Sequence, residues 1–134
     1  DTLEKYKTIA VVGMSRDETK PAHYVPAYFS EKGYDIIPIN PKAKEILGAR
    51  CYKSINEVDE EIEILNVFRP SEKAAEVVKS AIERRKARGD VNVIWLQEGI
   101  TSKEARKLAE EAEIEYFEDR CMYKEYVRIL PDRE

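Results

Sequence analysis

Histidine and cysteine are scarce in this chain, with one His and two Cys in 134 residues. His23, Cys51 and Cys121 cannot on their own supply the four soft ligands of a tetrahedral zinc site, which excludes a zinc-built fold. Long hydrophobic runs are also missing. The longest, from Ile9 to Met14 with Gly13 inside it, falls far short of the roughly 18 residues that cross a bilayer. No basic leader with an apolar region stands ahead of it, so the expected setting is cytoplasmic, with reduced cysteines and no membrane contact. Positive charge is not in excess either. The 23 Lys+Arg against 27 Asp+Glu leave a net charge of −4, where nucleic-acid-binding domains are usually basic. The dinucleotide-binding pattern G-x-G-x-x-G does not occur.

What is present describes an ordinary folded chain. A 43% hydrophobic share beside 37% charged residues argues against disorder, which needs low hydrophobicity. A chain of this length is expected to form one domain, residues 1–134, on one core without disulfides or metals.

Short β-rich runs alternate with amphipathic stretches along the sequence. Strands are expected over residues 8–12, 34–39, 63–67, 92–96 and 115–118. The first and fourth are nearly continuous apolar runs, as in strands covered on both faces. A helix over 22–32 ends at Gly33, a natural C′ residue, with Pro26 expected in its first turn. Ser71 is expected to cap a helix whose Ala74, Val77, Val78, Ala81 and Ile82 share one face. Thr101 and Glu104 match a capping box ahead of Ala105, Leu108, Ala109 and Ala112. A last helix is expected over 122–129, and residues 42–59 form the least regular stretch, with a short helix near 54–58. Five strands alternating with helices predict a three-layer, Rossmann-like, doubly wound α/β fold on a mostly parallel sheet.

Ligands of such sheets sit outside the carboxyl ends of the strands, near the switch in strand order. The residues that follow each strand are therefore the candidates. After the first, Gly13 lets the chain turn without a Cβ, and exposed amides ahead of a helix can hold phosphate. Met14 and Ser15 continue that turn, Ser15 with a hydroxyl donor, and Arg16 and Lys20 add positive charge. After the second strand an NAD-binding domain usually places Asp or Glu for the ribose hydroxyls. Here that loop holds Asn40, Pro41, Lys42 and Lys44, and Asp35 lies at the other end of the strand. Such a loop suits a nucleotide with a further phosphate near its ribose, such as NADP or coenzyme A. After the third strand, Phe68, Arg69 and Pro70 offer a wall for adenine. After the fourth, Gln97, Glu98 and Gly99 place polar groups and a close backbone near the ligand's tail. The alternatives without a ligand are a plain turn at Gly13, a solvated loop at Lys42 and Lys44, and Phe68 in the core.

Taken in order, these segments resemble the small CoA-binding protein family, whose Rossmann-like domain is similar to the CoA-binding part of the succinyl-CoA synthetase alpha subunit. The resemblance is carried by Val11-Val12-Gly13-Met14-Ser15, by Gly33-Tyr34 with Ile37-Pro38-Ile39-Asn40-Pro41, and by Val67-Phe68-Arg69-Pro70. It continues through Ile94-Trp95-Leu96-Gln97-Glu98-Gly99 and Asp119-Arg120-Cys121-Met122, from about Thr8 to Leu130. The family commonly has Ala where Met14 stands, a difference to which a backbone amide is indifferent. The resemblance implies coenzyme A along the carboxyl edge of the sheet. Gly13, Met14, Ser15 and Arg16 would hold the pyrophosphate, with Lys42 near the 3′-phosphate or adenosine. Val67, Phe68, Arg69 and Pro70 would line the adenine or pantetheine path. Asn40, Pro41, Gln97, Gly99, Lys20 and Lys44 are further candidates, and no catalytic residue or metal ligand is implied.

The first expectation is thus a module that binds CoA or an acyl-CoA as a sensor, carrier or regulatory partner. An NADP-dependent or CoA-dependent enzyme using His23, Glu98 or a cysteine is the alternative, and an interaction domain with a vestigial pocket is the third. The catalytic His of the synthetase subunit lies in a second domain without counterpart in these residues, so that activity does not carry over. Arg50 and Arg120 precede Cys51 and Cys121, which leaves open a lowered thiol pKa and a mixed disulfide with CoA. His23 otherwise reads as helix-end packing. The cations of residues 84–88 read as a helix terminus rather than an RNA contact. Tyr116, Phe117, Tyr123 and Tyr126 are expected to pack the last strand and helix, or to form a homodimer contact.

Overall fold

The apolar strands need cover on both faces, and their alternating side chains divide between two helical layers. The computed structural model describes residues 2–129. A short helix, α1 (Thr2–Lys5), leads into β1 (Thr8–Val12), α2 (Pro21–Glu31) and β2 (Asp35–Ile39). A small hairpin of β3 (Glu45–Ile46) and β4 (Ala49–Arg50) and a 3₁₀ turn at Ile55–Glu57 follow. The chain then alternates through β5 (Ile64–Val67), α3 (Ser71–Arg88), β6 (Val93–Leu96), α4 (Lys103–Glu111), β7 (Glu115–Phe117) and α5 (Met122–Ile129). The five-stranded sheet is parallel throughout, in the order β2-β1-β5-β6-β7, so the strand order reverses between β1 and β5.

Ala10, Leu65, Val67, Ile94 and Leu96 face one way, into a core shared with Ala74, Val78 and Ala81 of α3 and Ala105 and Ala109 of α4. Their neighbours Ile9, Val11, Ile64, Val93 and Trp95 face the other way, onto Val25 and Phe29 of α2 and Met122 and Tyr126 of α5. This is the three-layer Rossmann-like fold. Val12 stands beside Ile39 and Val67, and Val67 beside Leu96. Gly13, Asn40, Phe68 and Gln97 therefore leave the sheet at one level. Among the described residues no helix is long and apolar enough to cross a membrane.

Several local expectations shift. Pro21 opens α2, so Pro26 lies in the second turn instead of the first. Pro26 has no N–H for the Ala22 carbonyl one turn back, and that carbonyl accepts the Ser15 N–H at 3.2 Å instead. Pro70, not Ser71, precedes α3, and the Ser71 hydroxyl accepts the Thr101 N–H at 3.1 Å. Ser102, one residue beyond Thr101, caps α4 by accepting the Ala105 N–H at 3.0 Å. Within the irregular stretch, Leu47 and Gly48 both take positive φ, 57° and 74°. That left-handed pair is the two-residue turn joining β3 to β4.

The cations of residues 84–88 do close α3 ahead of Gly89. Unforeseen is the burial of Arg84, 2% exposed, against Asp90, 4% exposed. Its Nε and Nη2 donate to the Asp90 carboxylate at 2.9 to 3.1 Å. Nη1 donates to the carbonyls of Ile55 and Val58 at 2.6 and 2.9 Å, and Nη2 to that of Glu60 at 2.8 Å. Asp90 also accepts the Ile62 N–H at 3.0 Å. The stretch from the 3₁₀ turn to β5 is thus pinned to α3 by one guanidinium with every donor group used. Arg84→Ala is expected to lower the unfolding free energy by about 3–5 kcal/mol, the usual cost of leaving one partner of a buried pair alone. Urea denaturation of the variant measures it, and a loss below about 1 kcal/mol, the net worth of an ordinary hydrogen bond, contradicts this assignment.

Candidate functional site

At the carboxyl edge the loops after β1, β2 and β5 enclose a cavity of about 580 Å³, lined by Gly13 to Asp17, Lys20, Ala22, Asn40, Pro41, Lys42, Phe68 and Arg69. Its shape rests on Gly13. That residue has φ +84°, and a Cβ built on it would lie 2.5 Å from the Phe68 carbonyl oxygen. Gly13 donates its N–H to Ile39 O at 3.0 Å, and Phe68 donates its N–H to Val12 O at 2.9 Å. Three strand ends are thereby drawn together around a position where a side chain has no room.

Hydrogen bonds also order the loop after β1. The Ser15 amide is held by Ala22 O, and the Ser15 hydroxyl accepts the Asp17 N–H at 2.9 Å. Buried His23 places Nδ1 2.7 Å from Ser15 O, so that nitrogen carries the proton and donates. Asn40 stitches two loops together, donating from Nδ2 to Met14 O and accepting the Lys42 N–H on Oδ1, both at 2.8 Å. The Gly13 and Ser15 amides are therefore committed within the protein, whereas those of Met14 and Arg16 have no partner among the described residues.

The electrostatics of this cavity are one-sided. Arg16, Lys20, Lys42 and Arg69 line it, and none of them forms an ion pair among the described residues. Asp17 is the one carboxylate in the lining. It already accepts the Thr19 hydroxyl at 2.7 Å and the Thr19 N–H at 3.0 Å, contacts that hold its pKa below the ordinary carboxylate value. Such an arrangement of free cations and free amides is suited to a multiply charged anion.

Two further cavities continue this one. Towards α3, about 290 Å³ lies between Gly13, Pro41, Arg69 and the residues Lys53, Ser54, Ile55, Asn56, Val77 and Ser80. Towards α5, about 670 Å³ is bounded by the α2 start, the loops after β5 and β6, and Cys121, Tyr123 and Lys124. Arg69 borders all three.

The candidate residues fall into distinct places in this groove. Gly13, Met14, Ser15, Arg16, Lys20, Asn40, Pro41, Lys42, Phe68 and Arg69 meet around the 580 Å³ cavity, although the Met14 side chain is fully buried. Pro70 and Gln97 border the 670 Å³ cavity. Gln97 is 4% exposed, and its Oε1 accepts the Asn66 amide and the Met122 N–H, both at 3.4 Å. Val67, fully buried, and Gly99, whose N–H donates to Asp119 at 2.7 Å, border none of the three, and neither does Lys44. Of the enzyme alternative's residues, His23 lies beneath the loop, Glu98 pairs with Lys124 at 3.1 Å, and Cys51 is apart from Cys121. The 53–56 segment and the first residues of α5 border the groove without any warning in local motif. The topology offers the signal, because every helix after a parallel strand begins at the carboxyl edge.

For Cys51 the lowered thiol pKa that the sequence left open does not arise. Burial pushes the Cys51 thiol above its ordinary pKa, with Arg16 rather than Arg50 as the nearby cation that partly opposes it. Arg50 instead stacks on Tyr52 at 4.6 Å, and Arg120 lies over Phe117 at 5.4 Å.

Comparison with known proteins adds the following. A family model described as a CoA binding domain matches residues 7–127. An uncharacterised protein of Bacillus subtilis (strain 168), YneT, is 35% identical over 122 residues, covering 91% of this chain and 87% of that protein. A solved structure from Thermus thermophilus, cell-free ID.343, superposes with a TM-score of 0.89 at 36% identity, covering 96% of this chain and 94% of that one. A 65-residue segment is 34% identical to part of an ADP-forming acetate–CoA ligase of Methanocaldococcus jannaschii, covering 48% of this chain and 9% of the ligase.

Two outcomes are expected from this geometry. Gly13→Ala places a Cβ at positive φ and against the Phe68 carbonyl, and is expected to cost at least about 2 kcal/mol of stability. Thermal and urea unfolding read that loss, and a variant as stable as the parent contradicts the close approach. Cys51, neutral and buried, is expected to react with a thiol reagent at neutral pH far more slowly than free cysteine, speeding up as pH rises. Peptide-level mass spectrometry after timed labelling checks it, and rapid modification of Cys51 in the folded protein overturns it.

Proposed function

Because the chain belongs to the CoA-binding domain family, we propose that it binds coenzyme A or an acyl-CoA along the carboxyl edge of the sheet, as a non-catalytic sensor, carrier or regulatory module. The observation that carries this reading is the cavity whose four cations, Arg16, Lys20, Lys42 and Arg69, form no ion pair among the described residues and outnumber its one carboxylate, Asp17. Coenzyme A brings a pyrophosphate and a 3′-phosphate, enough charge to occupy all of them. In this reading the free amides of Met14 and Arg16 and the Arg16 guanidinium meet the pyrophosphate. Lys42, exposed beside the Asn40 turn, meets the 3′-phosphate or adenosine. Phe68, Arg69 and Pro70 guide the pantetheine arm towards the larger cavity. The acetate–CoA ligase relative supports a shared binding element, since the matched segment is 9% of that protein.

Thermal shift against CoA, dephospho-CoA, NADP and NAD tests the reading. CoA at a hundred times its Kd is expected to add about 2.7 kcal/mol of stability. Dephospho-CoA is expected to bind more weakly, and an equal response removes Lys42 from its place at the 3′-phosphate. Lys42→Glu is expected to cost at least about 1.5 kcal/mol of binding, the lower range for a charge-assisted hydrogen bond and about tenfold in affinity. Calorimetry on the variant measures it. Stabilisation by NADP but not by CoA refutes the proposal.

A further inference from the structure

The 670 Å³ cavity adjoins the cationic one through shared walls, Lys20, Ala22, Phe68 and Arg69. Beyond that passage the lining changes character, to Tyr24, Val25, Ile100, Cys121 and Tyr123. Its far-end charges, Glu98 and Lys124, are used on each other, with Nζ 3.1 and 3.2 Å from the two carboxylate oxygens. Tyr24 at 52% and Tyr123 at 40% are two of the described chain's few large hydrophobic residues left exposed, and both border this one cavity. Apolar surface gathered at a concave site marks a place where an apolar group is covered. Neither the nucleotide nor the amide-bearing pantetheine arm calls for such a lining.

We propose that this chamber receives the acyl group of a CoA thioester, and that the group is uncharged and aliphatic or aromatic. The proposal rests on the coenzyme A reading and goes beyond it by placing the acyl end. A carboxylate-bearing acyl group has no free cation to meet in the far half, because Lys124 is held by Glu98 and the unpaired Lys20 and Arg69 stand at the nucleotide side. A methylene fully buried there multiplies affinity by about fourfold.

Calorimetry on the whole chain with CoA, S-octyl-CoA (a thioether that does not hydrolyse), succinyl-CoA and free octanoate tests this. S-octyl-CoA is expected to bind at least tenfold more tightly than CoA, succinyl-CoA no more tightly than CoA, and octanoate not measurably. The double variant Tyr24→Ser, Tyr123→Ser alters two exposed side chains and is expected to remove most of the octyl advantage, with circular dichroism confirming its fold. CoA binding without an octyl advantage overturns the acyl chamber and leaves the coenzyme A reading standing. Failure of CoA and S-octyl-CoA alike overturns the coenzyme A reading itself. Preference for succinyl-CoA overturns the uncharged class, octanoate binding as tightly as S-octyl-CoA overturns the link between the cavities, and an undiminished advantage in the variant overturns the location.

Discussion

The crossing of Gly13 over the Phe68 carbonyl governs the ligand edge of this protein. Adjacent parallel strands normally diverge as they leave a sheet, each turning towards its own helix. Here β1 and β5 lie on either side of the reversal in strand order, and their exits stay together because one of them carries no Cβ. The Gly13 amide is turned onto Ile39 O, which brings the exit of β2 into the same cluster. Arg69, the residue after Phe68, is thereby placed where all three cavities meet. A larger residue at position 13 would force these strand exits apart.

Charge is distributed with the same economy. The chain as a whole is acidic, with a net charge of −4, yet four cations without an ion pair among the described residues gather at one sheet edge beside a single carboxylate. Several basic side chains elsewhere are occupied: Arg84 in its buried clamp, Arg106 with Glu118 at 3.1 Å, and Lys124 with Glu98. A small polyphosphorylated molecule can find a strongly positive site on a protein whose mean field repels extended polyanions.

Much of this was legible in the primary structure. Strand runs and the helices between them follow from hydrophobic period, and parallel topology sends every candidate loop to one edge. Side-chain destinations were less so. Arg84 sits in a run of cations that reads as a helix end, and nothing local separates it from its neighbours Arg85 and Lys86. Only the later placement of Asp90 and of the Ile55, Val58 and Glu60 carbonyls makes it a buried clamp. The cap of α4 falls on Ser102 although only Thr101 has the Glu three residues on that a capping box requires, because a lone hydroxyl at the N-cap suffices for the Ala105 N–H. Tyr123 reads as a packing or dimer-contact residue and Tyr24 draws no notice, since their meeting at one cavity depends on α2 and α5 lying side by side on the same face of the sheet.

Pro26 gives the ligand loop an unusual foundation. A helix carbonyl without its N–H partner is ordinarily a defect, but the Ala22 oxygen released by Pro26 is the acceptor that fixes Ser15. The loop is therefore anchored to the first turn of α2, through a carbonyl that the proline leaves free. Its backbone dihedral freedom is surrendered during folding instead of at the moment of association. An anion arriving there meets amides already oriented, so little conformational entropy remains to be lost, and affinity can be high from few contacts.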